Sequence, residues 1–421
     1  MKKITKIIVF ALALGLTACD KKLDTVDGNT VRNASAVSLY MNSEATVVNI
    51  NKSSEGGETF VEVRMSGLAS QDVQATVSVV NFFEEYNKIN NTQYRLLPVS
   101  EYELYEVDTP SNISAKGTLN ITIKSGQSSE RVGIRVKPLD EKTYPIGVKY
   151  AVPLKIIGTS AKQVLSNNQA VITFNRPFKT SVAEIKQGNA FAVKLAPEVE
   201  ESEEITVQGQ FMWKSWQRYS GNAMNMTVMN IGAYTRIFPD GLQVKDGGGD
   251  NPDDKAPFKF ELNRWYQITL TCKDSYFKVY IDGKLIHTFQ RTGVKLNKEM
   301  RVQVENPQTS YSANRYFREF RLWNRALTEA EIVANYYLPV DPESEGLVAY
   351  LPVNEENQFN DVTKYNNVVQ FVQGTSSSIF GIQDGPKWHK DVDYSEFKVE
   401  WVKNVKFPYT ESCSIGLCIE E

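Results

Sequence analysis

The sequence predicts an all-β chain, an N-terminal β-sandwich with short helices followed by a second, larger β-sandwich. Two observations lead there. Apolar residues alternate with period two in many short runs, and Gly, Pro, Asn and Asp turns interrupt those runs about every eight to twelve residues. A third, the length of 421 residues, exceeds what one typical core organises and calls for at least two units. Hydrophobic residues make up 41% and charged residues 23%, the balance of a folded chain. The formal net charge is −3, and no dense Lys/Arg run follows the first residues, which argues against a nucleic-acid partner.

The first element is a leader. Met1–Lys6 is a positively charged start, and Ile7–Leu16 is an apolar run of roughly ten residues, half the about 20 needed to span a bilayer. Leu16-Thr17-Ala18-Cys19 follows and resembles the bacterial lipobox, in which the Cys becomes the acylated first residue of the mature chain. That resemblance implies a signal peptide over residues 1–18, a lipid on Cys19 and a membrane anchor of several acyl chains. Residues 19–35 are polar, with Gly28, Asn29, Asn33 and Ser35, and read as a tether.

The N-terminal sandwich is expected over 36–176. Val73, Ala75, Val77 and Val79 alternate with Asp72, Gln74, Thr76 and Ser78, the pattern of a half-buried strand. Phe82, Tyr86 and Ile89 stand at i, i+4 and i+7 and predict a short helix. A second helix is expected from Ser100 as N-cap, with Glu101 and Glu103 in its first turn. Strands resume at Gly117–Ile123, Glu130–Val136, Tyr150–Ile157 and Ala170–Phe174. The helix, the run from Asn87 to Pro98, and Tyr144-Pro145 before Val152-Pro153-Leu154 resemble the N-terminal domain of unknown function in many Bacteroidetes surface lipoproteins. In those relatives the module precedes a carbohydrate-binding or glycoside-active domain.

The second sandwich is expected over 177–400, with a tail over 401–421. Its strands are read at Ile205–Trp213, Asn225–Ile231, Trp265–Thr271, Tyr276–Ile281, Arg301–Glu305 and Tyr316–Trp323, with Asp282-Gly283 as a hairpin turn. Ala326–Tyr336 is helical, and Thr328 with Glu331 has the form of a capping box. Glu198–Glu204 reads as a solvated loop. Arg264–Thr271 with Phe277–Leu285, and Phe320–Ile332, resemble the laminin-G-like, concanavalin A-like jelly rolls. Gly346–Leu351 resembles a strand placed near the start of that fold, so its late position here implies a variant or permuted order.

The chemistry-bearing residues are few. Two histidines, His287 and His389, stand without metal-ligand spacing, and no Gly-x-Ser-x-Gly elbow occurs. Of the four cysteines, Cys272 reads as a small buried residue, and Cys413 and Cys418 are close enough in sequence to leave a disulfide open. Asp391-Val392-Asp393-Tyr394-Ser395-Glu396 echoes the Glu-x-Asp-x-x-Glu of some jelly-roll hydrolases, but it starts with Asp and is expected beyond the sheet, as solvated tail. Asp246, Asp250 and Asp253 lie in an acid-rich loop that suits Ca²⁺ or is a plain polar loop.

Sugars stack on aromatic faces. Trp216, Tyr219, Tyr234 and Trp388 are the candidate ligand contacts, each against the alternative of a core position, while Trp213, Trp265 and Trp323 are expected in the core. The expected function is glycan binding without catalysis, by an outer-membrane lipoprotein of the cell envelope facing the surface or the periplasm. A protein–protein scaffold and a glycoside hydrolase are the alternatives.

Overall fold

The computed structural model describes residues 36–40, 47–50, 55–90, 92–220, 223–231, 234–245, 255–290, 294–297, 301–373, 391–407 and 417–419. The chain divides into two compact units. The first runs to Arg176, except that segments 87–93 and 141–149 group with the second, which continues from Pro177.

In the first unit two sheets form. One runs in the order Lys162–Gln163, Ala36–Tyr40, Gly57–Met65, Ser129–Val136, Tyr102–Glu106, Thr109–Ser114. The other runs Val47–Asn49, Gln169–Asn175, Tyr150–Thr159, Val73–Val79, Thr118–Ile123, with Arg95–Leu96 beside Tyr150–Ala151. Period-two patterning drives the assembly: Val61, Val63, Leu104 and Ile134 of the first sheet are buried, as are Val77, Leu119, Ile121, Leu154 and Ile172 of the second.

The predicted first helix is found at Phe83–Asn90, burying Phe83. The helix expected from Ser100 does not form. Val99–Glu101 is a single 3₁₀ turn with Pro98 at its N-cap and no side-chain cap, and Ser100 lies inside the turn, its hydroxyl donating to the Glu101 carboxylate at 2.8 Å. The chain then enters the strand Tyr102–Glu106, whose Tyr102 and Leu104 alternate into the core, a period that a helix could not satisfy.

The second unit has two larger sheets. Sheet I runs Lys284–Gln290, Tyr276–Ile281, Tyr266–Lys273, Ile205–Trp213, Arg315–Trp323, Phe178–Ile185, Val399–Phe407, with Leu347–Leu351 also paired to Arg315–Trp323. Sheet II runs Lys255–Pro257, Gly241–Lys245, Tyr234–Phe238, Met226–Asn230, Arg301–Val304, Asn189–Lys194, Val368–Gln373, Asp391–Val392. Their shared core is rich in rings. Phe211 stacks on Trp213 at 5.2 Å, and Phe191 meets Phe317 at 5.5 Å and Phe359 at 5.2 Å.

Local signals in this unit hold. Asp282 (φ 52°) and Gly283 (φ 78°) turn the hairpin between Tyr276–Ile281 and Lys284–Gln290, as a type I′ turn requires. Thr328 caps the helix Glu329–Ala334 with the reciprocal Glu331 bond. Cys272 is buried and free, and Cys418 is disulfide-bonded.

Two expectations are corrected. The tail does not begin at 401, because Val399–Phe407 pairs along Phe178–Ile185 and buries Val405 and Phe407. Asp391–Val392 is not beyond the sheet: it pairs with Phe371 and Val372 at the edge of sheet II.

The face of sheet I turned away from the ring core is polar and buried. Thr206, Gln208, Gln210, Gln267, Thr269, Arg318 and Arg321 lie there. A register shift opposite Gln208 and Gln210 leaves Glu319 as the extra residue, at φ 59°. Arg318 and Arg321 donate to its carboxylate at 2.8 and 2.6 Å, and the Tyr350 hydroxyl donates at 3.0 Å. The carbonyls of Asn335, Tyr337 and Leu338, just past the capped helix, accept from the same two guanidinium groups.

Candidate functional site

Sheet II has the opposite character. Its inward positions are Phe191, Val193, Ile237, Leu242, Val244, Val302 and Val304, so alternate residues must face outward. Strand Met226–Asn230 has a register shift between Thr227 and Met229. Both Val228 and Met229 are therefore in the core, and Thr227 and Asn230 share the outward face.

Register then sets polar side chains side by side. Lys255 pairs with Gln243, Gln243 with Arg236 and Arg236 with Thr227. From Asn230 the row continues to Gln303, Ala192 and Gln370. Seven hydrogen-bonding side chains thus cross the sheet in two stretches, offset along the strand between Thr227 and Asn230, where Asn230 pairs with Tyr234, and the second stretch is interrupted by the small Ala192.

The row is organised internally. Arg236 donates through Nε and one terminal nitrogen to Gln243 Oε1, at 2.9 and 2.7 Å. Its guanidinium also lies 5.0 Å from the Phe238 ring, and Lys255 Nζ lies 5.1 Å from the same ring. Lys255 reaches Asp240 at 2.7 Å, and the bond holds that carboxyl below its ordinary range. Gln303 donates to the Glu305 carbonyl at 2.5 Å, while its own Oε1, in a residue 3% exposed, has no hydrogen-bond partner. Of these side chains Lys255, Arg236 and Gln370 are half-buried, whereas Thr227, Gln243, Asn230 and Gln303 are as enclosed as Tyr234, so the groups within reach of a polyhydroxylated ligand are at the two ends of the face and the enclosed amides support them. Among the described side chains on this face there is no carboxylate.

The sequence-predicted contacts fare unevenly. Tyr234 is on this face but is 5% exposed, with its hydroxyl 2.5 Å from Thr227 Oγ1, and burial pushes its phenol up from the ordinary value. It is a packed member of the face and offers no ring for stacking, which corrects the expectation. Trp216 is half-buried and packs on the core between the sheets. Tyr219 is in the short strand Arg218–Ser220, and its side chain is outside the described residues. Cys19, Asp246, Asp250, Asp253, Trp388, His389 and Cys413 also lie outside them. Among the described residues no group of three His, Cys, Asp or Glu could hold a metal.

Sequence reasoning missed Arg236, Gln243, Gln303 and Lys255. The signal was present in Tyr234–Phe238 and Gly241–Lys245, where apolar and polar residues alternate, but the strands that join the row are far apart in the chain. In the first unit, a surface cleft of about 500 Å³ is lined by Glu58, Glu103, Arg135 and Lys137. Three of those charges pair with one another, Arg135 meeting Glu58 at 3.2 Å and Glu103 at 2.7 Å, while Lys137 donates to the Ser100 carbonyl at 2.7 Å.

Residues 192–333 match the model of the concanavalin A-like lectin/glucanases superfamily. The second unit carries a concanavalin A-like domain. Residues 32–163 match a model for an N-terminal domain family. No curated protein matches the chain significantly. Among solved structures, a candidate carbohydrate-binding protein from Bacteroides ovatus is similar at 20% identity and a TM-score of 0.46, over 81% of this chain and 98% of that one. A heptameric SAP-like pentraxin from Limulus polyphemus is similar to 45% of this chain over 94% of its own length, at 14% identity and a TM-score of 0.30. In the concanavalin A-like domain the polar row crosses sheet II, one of its two main sheets.

Proposed function

We propose that this is a lipid-anchored protein of the bacterial cell envelope that holds a glycan on the outward face of sheet II and breaks no bond in it. The observation that carries the reading is the row of amide, hydroxyl and cationic side chains from Lys255 to Gln370. Sugar hydroxyls need paired donors and acceptors, and side-chain amides supply both. The match to a superfamily of lectins and glucanases supports the same ligand class.

Glycoside hydrolysis needs two placed carboxyl groups. The face holds none among its described side chains. The Asp391–Glu396 segment leaves the sheet after Val392 and turns through the 3₁₀ segment Tyr394–Glu396, so its acids do not line one strand. That supports binding over catalysis. The anchor rests on Leu16-Thr17-Ala18-Cys19. Among the described residues no helix is long and apolar enough to cross a membrane.

Affinity gels with a polysaccharide panel test the reading, alongside reducing-sugar release from the same panel. Retention on at least one glycan without sugar release is expected. Retention on none favours the scaffold alternative, and sugar release favours the hydrolase. Mass spectrometry of the mature chain is expected to find acyl groups on Cys19, and an unmodified thiol there would remove the anchor from the proposal.

A further inference from the structure

The cleft of about 500 Å³ in the first unit plays no part in the reading of sheet II. Its volume falls in the range of small-ligand sites, about 300–1,000 Å³. Three neighbouring strands build it, and their register sets Glu58, Arg135 and Glu103 side by side. Gly56, two residues before Glu58, runs so close to the next strand that a Cβ would stand 2.0 Å from the Val136 carbonyl oxygen, so no side chain fills that end. Pro138 supplies a rigid apolar edge. The polar groups are held in place. Arg135 donates through Nε to Glu58 Oε2 and through one terminal nitrogen to Glu103 Oε1, at 3.2 and 2.7 Å, and its guanidinium lies 4.7 Å from the Tyr105 ring. The Tyr105 hydroxyl donates to the same Glu58 oxygen at 3.2 Å. Yet Glu58, Arg135 and Lys137 are exposed and Glu103 is half-buried, so all four are within reach of a ligand.

This arrangement selects a ligand class. Two carboxylates and two cations line the cleft, so their formal charges cancel. An ionic ligand meets both signs at once and gains little from either. A hydroxyl both donates and accepts, and the cleft has groups left for each role. Among the described contacts Glu58 Oε1, Glu103 Oε2 and the second terminal nitrogen of Arg135 take part in no bond, and Lys137 spends one ammonium proton, on the Ser100 carbonyl at 2.7 Å. Acceptor, donor and acceptor alternate from strand to strand, about 4.8 Å apart. We propose that the cleft is a second carbohydrate site, in the first unit, and that its ligand is a neutral sugar chain. Ring hydroxyls donate to Glu58 and Glu103 and accept from Arg135 and Lys137, while the ion pairs keep the four groups ordered. The site goes beyond the reading of sheet II, and either stands if the other fails.

The full mature chain would be tested on affinity gels of four neutral polymers: dextran, galactomannan, arabinoxylan and mixed-linkage β-glucan. Retention on at least one is expected, changing less than about twofold between about 50 and about 500 mM salt. Glu103→Ala and Lys137→Ala should each weaken it about tenfold or more, with thermal melts checking that the fold is kept. Lys124→Gln, outside the cleft in the same unit, should leave it unchanged. In the parent chain, saturation with the retained polymer should slow acetylation of Lys137, read by mass spectrometry, and not that of Lys124. Retention that Arg236→Gln removes, with both cleft variants at parent strength and Lys137 unprotected, overturns the first-unit site and leaves the reading of sheet II standing. Loss in the cleft variants with Arg236→Gln at parent strength keeps the site and removes that reading. Retention that fades with salt overturns the neutral ligand class, and retention on none of the four polymers overturns the site.

Discussion

Glu305 and Arg315 face each other 3.0 Å apart in the second unit, and neither side chain reaches solvent. The contact is an ion pair without hydrogen-bond alignment. Arg315 also donates to the Asn189 carbonyl at 2.8 Å, and Glu305 holds a positive φ of 68°. Loss of water pushes the Glu305 carboxyl up to about 7, and the Arg315 charge offsets only part of that. A raised carboxyl binds protons more tightly in the folded than in the unfolded chain. Its contribution to stability is therefore complete below about pH 4.5 and is lost as pH rises through about 7. Glu305→Gln should flatten that stretch of the stability–pH curve in denaturant titrations. Arg315→Met should cost about 3–5 kcal/mol at pH 8, because it leaves a buried charge alone. An unchanged slope in Glu305→Gln would show that other groups set it.

The Arg318–Glu319–Arg321 cluster predicts a second large effect. Glu319 is the only carboxylate that either guanidinium meets in the described contacts, and Tyr350 donates to it as well. Glu319→Ala should destabilise by about 3–5 kcal/mol, since two buried cations lose their counter-charge. Tyr350→Phe removes one hydrogen bond to the same carboxylate and should cost only about 1.5–3 kcal/mol. Chemical denaturation of both variants checks the order. Equal costs would mean that the charge balance is not what the cluster contributes.

In the first unit Gly133 lies under the ring of Tyr105, and a Cβ there would collide with it. The ring is pinned from above by Arg135 at 4.7 Å and through its hydroxyl by Glu58 at 3.2 Å. Gly133→Ala should lower stability by about 1–3 kcal/mol through overpacking. In a Tyr105→Ala background the same substitution should cost less, because the colliding ring is gone. Thermal melts of the two single variants and the double variant decide it, and additivity would contradict the geometry.

The legible parts of this fold were the locally encoded ones. Asp282-Gly283 and Thr328 with Glu331 each state their structure within four residues, and both formed as read. The period-two runs gave the strands and the β-sandwich class. What alternation cannot state is what covers an outward face. Arg318 and Arg321 alternate outward like solvated residues, yet the segment after Glu329–Ala334 closes over them. Ser100 failed as a helix start because Tyr102 and Leu104 were needed in a strand. The proposed binding face was illegible for a related reason. Its members come from strands scattered between Ala192 and Gln370, and only the sheet order makes them neighbours. Aromatic residues drew attention because rings stack on sugars, but the rings at Trp216 and Tyr234 are largely spent on packing.

Tyr234 separates packing from binding most directly. Its phenol is enclosed, and the hydroxyl meets Thr227 Oγ1 at 2.5 Å within the polar face. Tyr234→Phe keeps the ring and deletes that bond, leaving the threonine hydroxyl one partner fewer in a buried place. The expected cost is about 1 kcal/mol of stability. Because the ring is not presented to solvent, affinity for the retained glycan should stay within about twofold of the parent. Arg236→Gln should give the reverse pattern, with affinity falling further than stability. Parallel melts and gel retention on the two variants set the assignment: a loss of affinity in Tyr234→Phe as large as in Arg236→Gln would make the Tyr234 hydroxyl a ligand contact after all.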